Sequence, residues 1–346
     1  MAMNNMKVLL GMSGGVDSSV AALLLKQKGY NVLGITLMLS ENDDGSAAKD
    51  AKAVCEALGL SHVTEDLRDV FRQHVTDHFV AEYKAGRTPN PCVTCNKMIK
   101  FGEMLKFADK YDCPFLATGH YAKVVQEPGG SYALKKAVCV EKDQTYFLYT
   151  LSQNVLARVL MPLGDYTKEE VRTLAEENGL LVARKKDSQD ICFIPDGNKD
   201  AFLAKYLPDK PGNFLDTDGN IIGTHKGAFR YTIGQRKGLG MGFGRPMFVL
   251  SVDTQNNTVT LGEAGTEFRN HFLIKDCTFS VLPVAPDALH CHCKVRYSAK
   301  EVPCLIEKTG DSYRVTPESP VRAITPGQAA VFYHGDTLLG GGTIIE

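Results

Sequence analysis

The stretch Gly-Met-Ser-Gly-Gly-Val-Asp-Ser-Ser at residues 11–19 constrains the fold of this chain most strongly. It follows an apolar run at residues 8–10 and precedes an Ala/Leu run at residues 21–25, which gives the order strand, glycine turn, helix. Two adjacent glycines let a ligand approach the backbone, because no Cβ stands in the way. The helix that begins near Asp17 would direct unpaired N–H groups and its positive dipole end at phosphate oxygens. The stretch therefore predicts a phosphate site.

The motif also excludes two common nucleotide loops. It lacks the closing Gly-Lys-Ser/Thr of a Walker A loop, and it lacks the Gly-x-Gly-x-x-Gly of a dinucleotide site. It resembles the pyrophosphate loop of the superfamily that splits ATP between its α and β phosphates, adenylates a carbonyl oxygen and releases pyrophosphate. A tight turn with no ligand would also fit the motif, and the motif alone does not identify a substrate.

The first third of the chain alternates short β-rich runs with helical patterns. The predicted strands are at residues 8–10, 32–39, around 63 and 115–118, and the predicted helices are near 18–28, 46–58, 70–84 and 97–110. This rhythm predicts an α/β fold, a parallel sheet with helices on both faces, whose ligand lies at the carboxyl ends of the strands. Gly29 and Gly59 are placed to end helices.

A change of composition marks the second half. After Pro208 and Pro211 the chain becomes rich in Gly and β formers, and helical periodicity is absent to the end. Short alternating runs bounded by turns over residues 273–346 predict a small β-barrel. We therefore expect three domains: a catalytic domain at 1–207, a central β domain at 208–272 and a C-terminal barrel at 273–346.

Composition limits the class of protein. The 346 residues carry a net charge of −1, so any nucleic-acid surface has to concentrate its cations locally. No window of about 18 apolar residues occurs, which predicts no membrane span. Ten cysteines without a secretory signal predict a reducing compartment and a cytoplasmic protein.

The segment 86–97 carries a Cys-x-x-Cys pair between basic residues. Two nearby prolines disfavour regular structure, so we expect Cys92 and Cys95 on a stiff loop ahead of a helix. With Arg87, Lys97 and Lys100 around them, these thiols are expected to have a lowered pKa. The pair alone is ambiguous among redox, zinc and iron–sulfur uses.

Several single positions have two interpretations. Gly119 ends a predicted strand and is a candidate for close approach to a ligand, whereas the neighbouring His120 is either structural or a contact. The polar run Lys142-Asp143-Gln144 either caps a turn or contacts a substrate. Cys192 stands between Ile191 and Phe193, a spacing that predicts a buried core thiol.

Two stretches of the second half could contact nucleic acid. Residues 225–245 hold five cations and no acid, with Phe229 and Tyr231 interleaved, a pattern that suits a phosphate backbone and exposed bases, although a solvated basic loop would have the same composition. The cations are Lys226, Arg230, Arg236, Lys237 and Arg245. Residues 290–293, His-Cys-His-Cys, alternate as a strand does and lack a second ligand pair for zinc. Arg296 and Tyr297 place a guanidinium beside an aromatic ring.

Taken together, six motifs extend across nearly the whole chain and make the family recognisable. They are GMSGGVDSS, RTPNPCVTCNK, ATGHYA, KDQTYFL, DSQDICFI and YTIGQRKGLG. With them the chain resembles the bacterial tRNA-specific 2-thiouridylase family. The resemblance implies an ATP-pyrophosphatase domain, a small central β domain and a β-barrel. It also implies ATP-dependent 2-thiolation of the wobble uridine of tRNA, with Mg²⁺ and with sulfur from a cysteine desulfurase or a sulfur relay protein.

The resemblance also implies site residues. Those expected to bind ATP are Gly11, Met12, Ser13, Gly14, Gly15, Val16, Asp17, Ser18, Leu37 and Gly119. Those expected to contact tRNA are Asn90, Pro91, Cys92, Lys142, Asp143, Gln144, Arg296 and Tyr297. Cys95 matches the nucleophile and Cys192 the cysteine that carries a persulfide, which replaces the core-thiol interpretation of Cys192.

Two positions depart from the family pattern. Leu37 stands where the family tends to have Met, and Cys92 stands where an Asp is common, three residues before the nucleophile. With Cys92, Cys95 and Cys192 the chain has three thiols that could instead ligate a [4Fe–4S] cluster carrying the sulfide. The pyrophosphate loop would also suit a ligase that adenylates a small metabolite, or a nucleotide-binding module without catalytic activity.

Overall fold

The computed structural model describes residues 5–41, 43–183, 185, 191–194, 197–282 and 284–346. Within them the chain divides into two units. The first unit runs to Val75 and includes Cys92–Phe193 and Gly335–Leu339; the second comprises Thr76–Pro91, Ile194–His334 and Gly340–Glu346.

The first part of the chain alternates strands and helices as predicted. Its strands are β1 (Lys7–Gly11), β2 (Asn31–Met38), β3 (Ser61–Asp66), β4 (Phe115–Ala117), β5 (Lys123–Gln126), β6 (Tyr132–Lys135) and β7 (Val159–Leu160). The α-helices in the described residues are α1 (Val16–Gln27), α2 (Ser46–Ala57), α3 (Arg68–Phe71), α4 (Asp77–Lys84), α5 (Pro91–Cys95), α6 (Met104–Lys110), α7 (Gln153–Leu156), α8 (Lys168–Glu177) and α9 (Lys199–Leu203). Two π-helical segments, Arg72–Thr76 and Asn96–Glu103, join α3 to α4 and α5 to α6.

A five-stranded parallel sheet forms the framework of the first unit. Its order is β3-β2-β1-β4-β7, and every pairing is parallel. Residues 8–10 of β1 are fully buried at the centre of the sheet, which confirms the predicted apolar run as a core strand. The chain crosses from β1 to β2 on one side and returns to β4 on the other. The carboxyl end of β1 is therefore the switch point at which α/β sheets bind ligands.

Local signals predicted the helix ends well. Nine of the twelve residues of α1 are buried, so this helix packs as a core element. Gly29 and Gly59 follow the last residues of α1 and α2 with φ of 85° and 66°, the left-handed conformation predicted for them. In the described part of the chain, no helix combines the length and apolar content that crossing a membrane requires.

The prediction of a loop at the Cys-x-x-Cys pair is wrong. Helix α5 begins at Pro91, and the helical path continues through the π-helical segment into α6. Proline is well tolerated at the first position of a helix, because the N–H it lacks would have no partner there. Cys92 and Cys95 thus lie on the first turns of a helix. A π-helical segment directly after them is a feature frequently found at functional sites.

The second unit contains the remaining strands. They are β8 (Gly212–Leu215), β9 (Ile221–His225), β10 (Met247–Asp253), β11 (Thr258–Glu263), β12 (Phe268–Arg269), β13 (Phe272–Thr278), β14 (Ala288–Lys294), β15 (Val302–Thr309), β16 (Ser312–Pro317), β17 (Val321–Arg322), β18 (Ala329–His334) and β19 (Thr337–Ile344). The first four form a sheet in the order β10-β11-β8-β9. Its core includes Phe214, Val249 and Leu261.

The predicted C-terminal barrel is present. Six strands follow one another in the order β13-β16-β15-β14-β18-β19, and a pairing of β13 with β19 closes the ring. Residues 290–293 lie within β14, which confirms the strand interpretation. Cys291 and Cys293 point inward and are buried, whereas His290 and His292 are exposed.

Gly14 allows a stability test with a matched control. Gly14 and Gly45 have similar positive φ values, 66° and 73°, but a Cβ on Gly14 would lie 2.6 Å from the carbonyl oxygen of Ala47, whereas one on Gly45 would meet nothing within 4 Å. We expect Gly45→Ala to cost about 1 kcal/mol of conformational strain, a fall of about 2–4 °C in the thermal midpoint. Gly14→Ala should cost at least about twice as much, because the clash adds to the strain.

Thermal unfolding followed by circular dichroism measures both variants under one condition. Equal shifts in midpoint for Gly14→Ala and Gly45→Ala would show that the contact with α2 does not constrain the loop.

Candidate active site

The glycine loop turns between β1 and α1 in a conformation that only glycine fits well. Gly14 has φ of 66° and packs against the backbone of Ala47, in the first turn of α2. Gly15 is the N-cap of α1, is extended, and provides no side-chain cap. The first N–H groups of α1 therefore have no capping side chain and are available to an anion.

Serine side chains fix the shape of this loop. The Ser13 N–H donates to Ser18 Oγ at 3.2 Å, and the Ser18 hydroxyl donates to the Gly15 carbonyl at 3.2 Å. The Ser19 hydroxyl donates to the same carbonyl at 2.8 Å. Ser13 itself is exposed. The loop is thus organised by its own hydrogen bonds, while its outer edge faces solvent.

Asp17 is held in place by two donors from distant parts of the sequence. Its Oδ1 accepts from the Tyr121 hydroxyl at 2.8 Å and from Lys168 Nζ at 2.7 Å. The Lys168 side chain is only 9% exposed, so this ion pair is largely desolvated. Lys168 is not among the residues predicted from the sequence, because 151 residues separate it from Asp17. The pair fixes a carboxylate at the start of α1.

Gly119 lies against the same helix start. It follows β4, and a Cβ there would lie 3.0 Å from the Asp17 carbonyl carbon and from the Ser18 nitrogen. The close approach that the structure shows is to the backbone of α1. Leu37 lies near the carboxyl end of β2, partly exposed and paired with Glu65. Their contact with adenosine stays a prediction.

His120 is an uncharged core side chain. It is buried, its Nδ1 lies 2.8 Å from Thr118 Oγ1, and its ring lies 5.7 Å from that of Phe101. Burial, reinforced by the charge of Lys100, lowers the pKa of His120 well below its ordinary value. Of its two interpretations, these contacts favour the structural one.

The structure brings three thiols of the first unit together. Cys92 and Cys95 stand three residues apart on α5, and the charge of Cys192 raises the pKa of both. Cys92 and Cys192 are solvent-exposed, whereas Cys95 is buried, and all three are free thiols. The prediction from spacing of a core thiol at Cys192 is thus wrong. Residues 187–190 of the same motif lie outside the described residues.

The expected lowering of the thiol pKa values is also wrong. Desolvation by the surrounding protein raises the pKa of Cys95 to about 11, and it also raises the pKa of Cys92 and of Cys192, although part of each of these two residues is exposed. Lys100 lowers all three, as predicted for a nearby cation, but its effect is smaller than that of desolvation. Arg87 is engaged elsewhere, since its Nε donates to Glu82 Oε2 at 2.7 Å.

The three thiols do not form a metal-ligand set in this arrangement. Across the described ranges, no three His, Cys, Asp or Glu side chains are grouped so that they could hold one metal ion. The alternative in which Cys92, Cys95 and Cys192 ligate a [4Fe–4S] cluster stays a hypothesis, because the ligands of a four-iron cluster stand farther apart than those of a single ion.

The polar run at residues 142–144 organises its own segment. Asp143 is buried; its Oδ1 accepts from the Ala137 N–H at 3.0 Å, and its Oδ2 accepts from the Thr145 hydroxyl at 2.6 Å. Gln144 Oε1 accepts from the Tyr121 N–H at 2.9 Å. Lys142 is partly exposed. These bonds support the capping interpretation, and contact with tRNA stays a prediction.

The basic stretch of the second unit is only partly available to a ligand. Phe229 and Tyr231 are buried, so the expectation that they lie open to bases is wrong. Tyr231 belongs to the core of the small sheet. Arg230 pairs with Asp200 and Asp209, and Arg245 with Glu263. The three remaining cations are exposed, and none has a carboxylate partner among the described residues: Lys226, Arg236 and Lys237.

The Arg296-Tyr297 pair combines a fixed side chain with an accessible one. Arg296 Nη2 donates to the Ile233 carbonyl at 2.8 Å and to Thr325 Oγ1 at 2.6 Å. Tyr297 is 37% exposed. Asn90 is partly buried and Pro91 is buried. Contact of these residues with tRNA stays a prediction.

The opposing effects of desolvation and of Lys100 on the pKa of Cys95 can be tested by alkylation. Because the thiolate is the reactive form and the Cys95 pKa is about 11, iodoacetamide modification should accelerate about tenfold per pH unit between pH 7 and 10. Lys100→Met should raise that pKa and slow modification at pH 8 by roughly three- to tenfold. Peptide mass spectrometry reports the rate at Cys95 specifically.

Lys97→Met is the matched control, since Lys97 lies on the same π-helical segment, is exposed and contributes to none of the three thiol shifts. It should leave the rate unchanged. A Lys100→Met rate equal to wild type would show that Lys100 does not influence Cys95.

Three family models match successive parts of the chain. Residues 6–196 match the tRNA methyl transferase HUP domain, residues 200–263 the tRNA methyl transferase PRC-barrel domain, and residues 269–344 the aminomethyltransferase β-barrel domain. A 4-thiouridine synthetase–RNA complex with bound ATP is a distant structural match, 20% identical with a TM-score of 0.35 over 54% of this chain and 44% of that chain.

Curated relatives match over almost the whole length. A tRNA-specific 2-thiouridylase MnmA from Lachnoclostridium phytofermentans is 45% identical over 98% of this chain and 99% of its own. One from Clostridioides difficile is 46% identical over 98% of both chains. Matches of this length span the glycine loop, both cysteine motifs and the barrel. The chain belongs to the tRNA-specific 2-thiouridylase family.

Proposed function

We propose that this protein is a tRNA-uridine 2-sulfurtransferase, which uses ATP to replace the C2 oxygen of the wobble uridine with sulfur. One observation carries this proposal beyond family membership. A single unit presents both an uncapped helix N-terminus behind a glycine loop and, on the helix from α5 to α6, a cysteine pair whose thiols lie near that of Cys192. The first feature suits a phosphate ester and the second suits sulfur transfer.

The two halves of the site are connected through the segment after β4. Gly119 packs on the start of α1, and the next residue, His120, is influenced by Lys100, whose charge also acts on the three thiols. A nucleotide on the loop and a sulfur on Cys192 would therefore act on one substrate atom within a single unit.

The chemistry requires ATP because the C2 carbonyl of uridine is a poor electrophile. The uridine O2 attacks the α-phosphorus, the bond from that phosphorus to the bridging oxygen breaks, and its electron pair leaves with pyrophosphate. C2 then carries AMP as a good leaving group. The N–H groups at the start of α1 stabilise the negative charge of the phosphates in both steps.

Sulfur then replaces the activated oxygen. The terminal sulfur of a Cys192 persulfide attacks C2, and the C2–O bond breaks as AMP departs. The Cys95 thiolate attacks Cys192 Sγ, so the S–S bond breaks, the outer sulfur stays on C2, and a Cys95–Cys192 disulfide forms. A dithiol reductant must supply two electrons before the next turnover. The exposure of Cys192 suits loading by a sulfur donor protein.

Further components are proposed on the same basis. Asp17 offers a carboxylate at the loop. Mg²⁺ is usually held by one or two carboxylates together with substrate phosphates, so this carboxylate fits it. A Mg²⁺ ion bound there would neutralise phosphate charge. A cysteine desulfurase or a relay protein would supply the sulfur, and the setting would be the cytoplasm. The domain division 1–207, 208–272 and 273–346 is supported by the ranges of the family models.

The target base has to leave the anticodon stack to reach such a site, as in other enzymes that modify bases. The exposed cations of residues 226–237 are candidates for holding the RNA backbone meanwhile.

The direct test supplies α-labelled ATP, a sulfur donor and unmodified tRNA, and measures labelled AMP. AMP should form only with tRNA that has uridine at the wobble position, and a tRNA with cytidine at that position should give none. A ligase for a small metabolite would not respond to tRNA, and a non-catalytic module would release no AMP.

Iron and acid-labile sulfide assays after anaerobic purification test the cluster mechanism, which an active, iron-free protein would rule out.

Cysteine variants should separate the two half-reactions. Cys95→Ser and Cys192→Ser should each reduce 2-thiouridine formation at least about a hundredfold, because each removes a sulfur required for transfer, while tRNA adenylation persists in part. Nucleoside mass spectrometry measures thiolation, and pyrophosphate release measures adenylation.

Cys277→Ser in β13 is the control for a general effect of losing a thiol, and it should retain full activity. Wild-type thiolation by either Cys95→Ser or Cys192→Ser would refute the assigned role of that residue.

The basic stretch should contribute through phosphate contacts. Replacing Arg236 and Lys237 by Ala should weaken tRNA binding and reduce the slope of log K against log salt by about 1.4 to 1.8, since each contact contributes about 0.7 to 0.9. Arg245→Ala is the matched control, because its charge is already paired with Glu263 at 2.5 Å, and should change the slope less. An unchanged slope in the double variant would remove this stretch from the RNA surface.

A further inference from the structure

The glycine loop contains no cation of its own. Residues 11–19 include no Lys or Arg, and the lysine that closes a Walker A loop is absent. Backbone N–H groups carry only partial charges, whereas a triphosphate brings several full negative charges and a departing pyrophosphate develops more. A positive side chain from elsewhere in the chain would complete the site.

Lys185 occupies such a position. Its Nζ donates to the carbonyl oxygen of Gly14 at 3.0 Å and to Asp50 Oδ2 at 2.7 Å. Gly14 is in the middle of the loop, and its left-handed conformation and packing on Ala47 fix where that carbonyl points. An ammonium has three donors. Among the described residues two of them are engaged, by the Gly14 carbonyl and by Asp50.

The ion pair of Lys185 is also easy to exchange. The side chains of Lys185 and Asp50 are each 44% exposed, and ion pairs at that exposure stabilise a protein little. Lys168, the other ammonium bound at this loop among the described residues, is 9% exposed and paired with Asp17. Lys168 therefore holds the loop, whereas Lys185 can change partners at small cost.

We propose that Lys185 binds the β- and γ-phosphates of ATP and the pyrophosphate that leaves, supplying from a distant part of the chain the charge that a Walker lysine supplies within its loop. This rests on the proposed function, in which ATP is cleaved between the α and β phosphates. When the bond from the α-phosphorus to the bridging oxygen breaks, the electron pair stays on pyrophosphate, and the ammonium offsets the added charge without transferring a proton.

The consequence is a selective effect on phosphates. Removing the ammonium should weaken the binding of ATP and of pyrophosphate, which carry the β- and γ-phosphates or their equivalents. It should leave the binding of AMP unchanged, because AMP carries neither phosphate. A residue that merely supports the loop would affect all three ligands, because AMP also places its phosphate on the helix N-terminus.

The experiment is calorimetric titration of the full chain with Mg²⁺-ATP, Mg²⁺-pyrophosphate and AMP. Lys185→Met should lower the affinity for ATP and for pyrophosphate roughly ten- to a hundredfold, the range for losing one charged hydrogen-bond donor. The affinity for AMP should stay within about twofold of wild type. Lys185→Arg should restore most of the affinity for pyrophosphate. Lys52→Met is the control for net charge, since Lys52 is an exposed lysine on α2 that pairs with Glu56 on the same helix.

Two results would overturn the proposal. One is an unchanged pyrophosphate affinity in Lys185→Met, and the other is a loss of AMP affinity as large as the loss of pyrophosphate affinity. The test is separable from the proposed function. If wild-type protein binds ATP but never yields AMP with tRNA and a sulfur donor, the function fails while the binding comparison still reports on Lys185.

Discussion

The left-handed turn at Gly14 is the constraint on which the rest of the site depends. It lets the chain leave β1 and enter α1 while the loop packs against α2, with a Cβ position 2.6 Å from the Ala47 carbonyl oxygen. The next residue, Gly15, is the N-cap and has no side chain, so the helix begins without a side-chain cap at the switch point of the sheet. Every other contribution to phosphate binding is added to that frame: the serine hydrogen bonds, the anchored carboxylate of Asp17 and the ammonium of Lys185.

Desolvation and charge act against each other at the thiols. Burial keeps Cys95 protonated at neutral pH, while the charge of Lys100 lowers the cost of ionising it. Such a balance protects a nucleophile from oxidation until substrate arrives, since the thiolate is the species that oxidants attack. Two exposed thiols, Cys92 and Cys192, act on the pKa of Cys95, and the proposed mechanism assigns the persulfide to Cys192.

Local patterns in the sequence predicted the framework well. The strand-turn-helix unit, the glycines that end α1 and α2, and the strand at residues 290–293 all depend on interactions between near neighbours, and all are confirmed. One error was local: Pro91 begins a helix, because the first helical position tolerates proline. The others arose where distant contacts decide, as at Tyr231, which is buried because a sheet closes around it. Lys168 and Lys185 act on residues 151 and 171 positions away, so no local pattern could assign them.

The central claim is that the oxygen removed from uridine departs on AMP. It is tested most directly with tRNA whose wobble uridine carries ¹⁸O at C2, incubated with ATP and a sulfur donor. Mass spectrometry of the AMP should show one ¹⁸O per 2-thiouridine formed. Thiolated tRNA accompanied by unlabelled AMP, with the ¹⁸O recovered in water, would contradict the account.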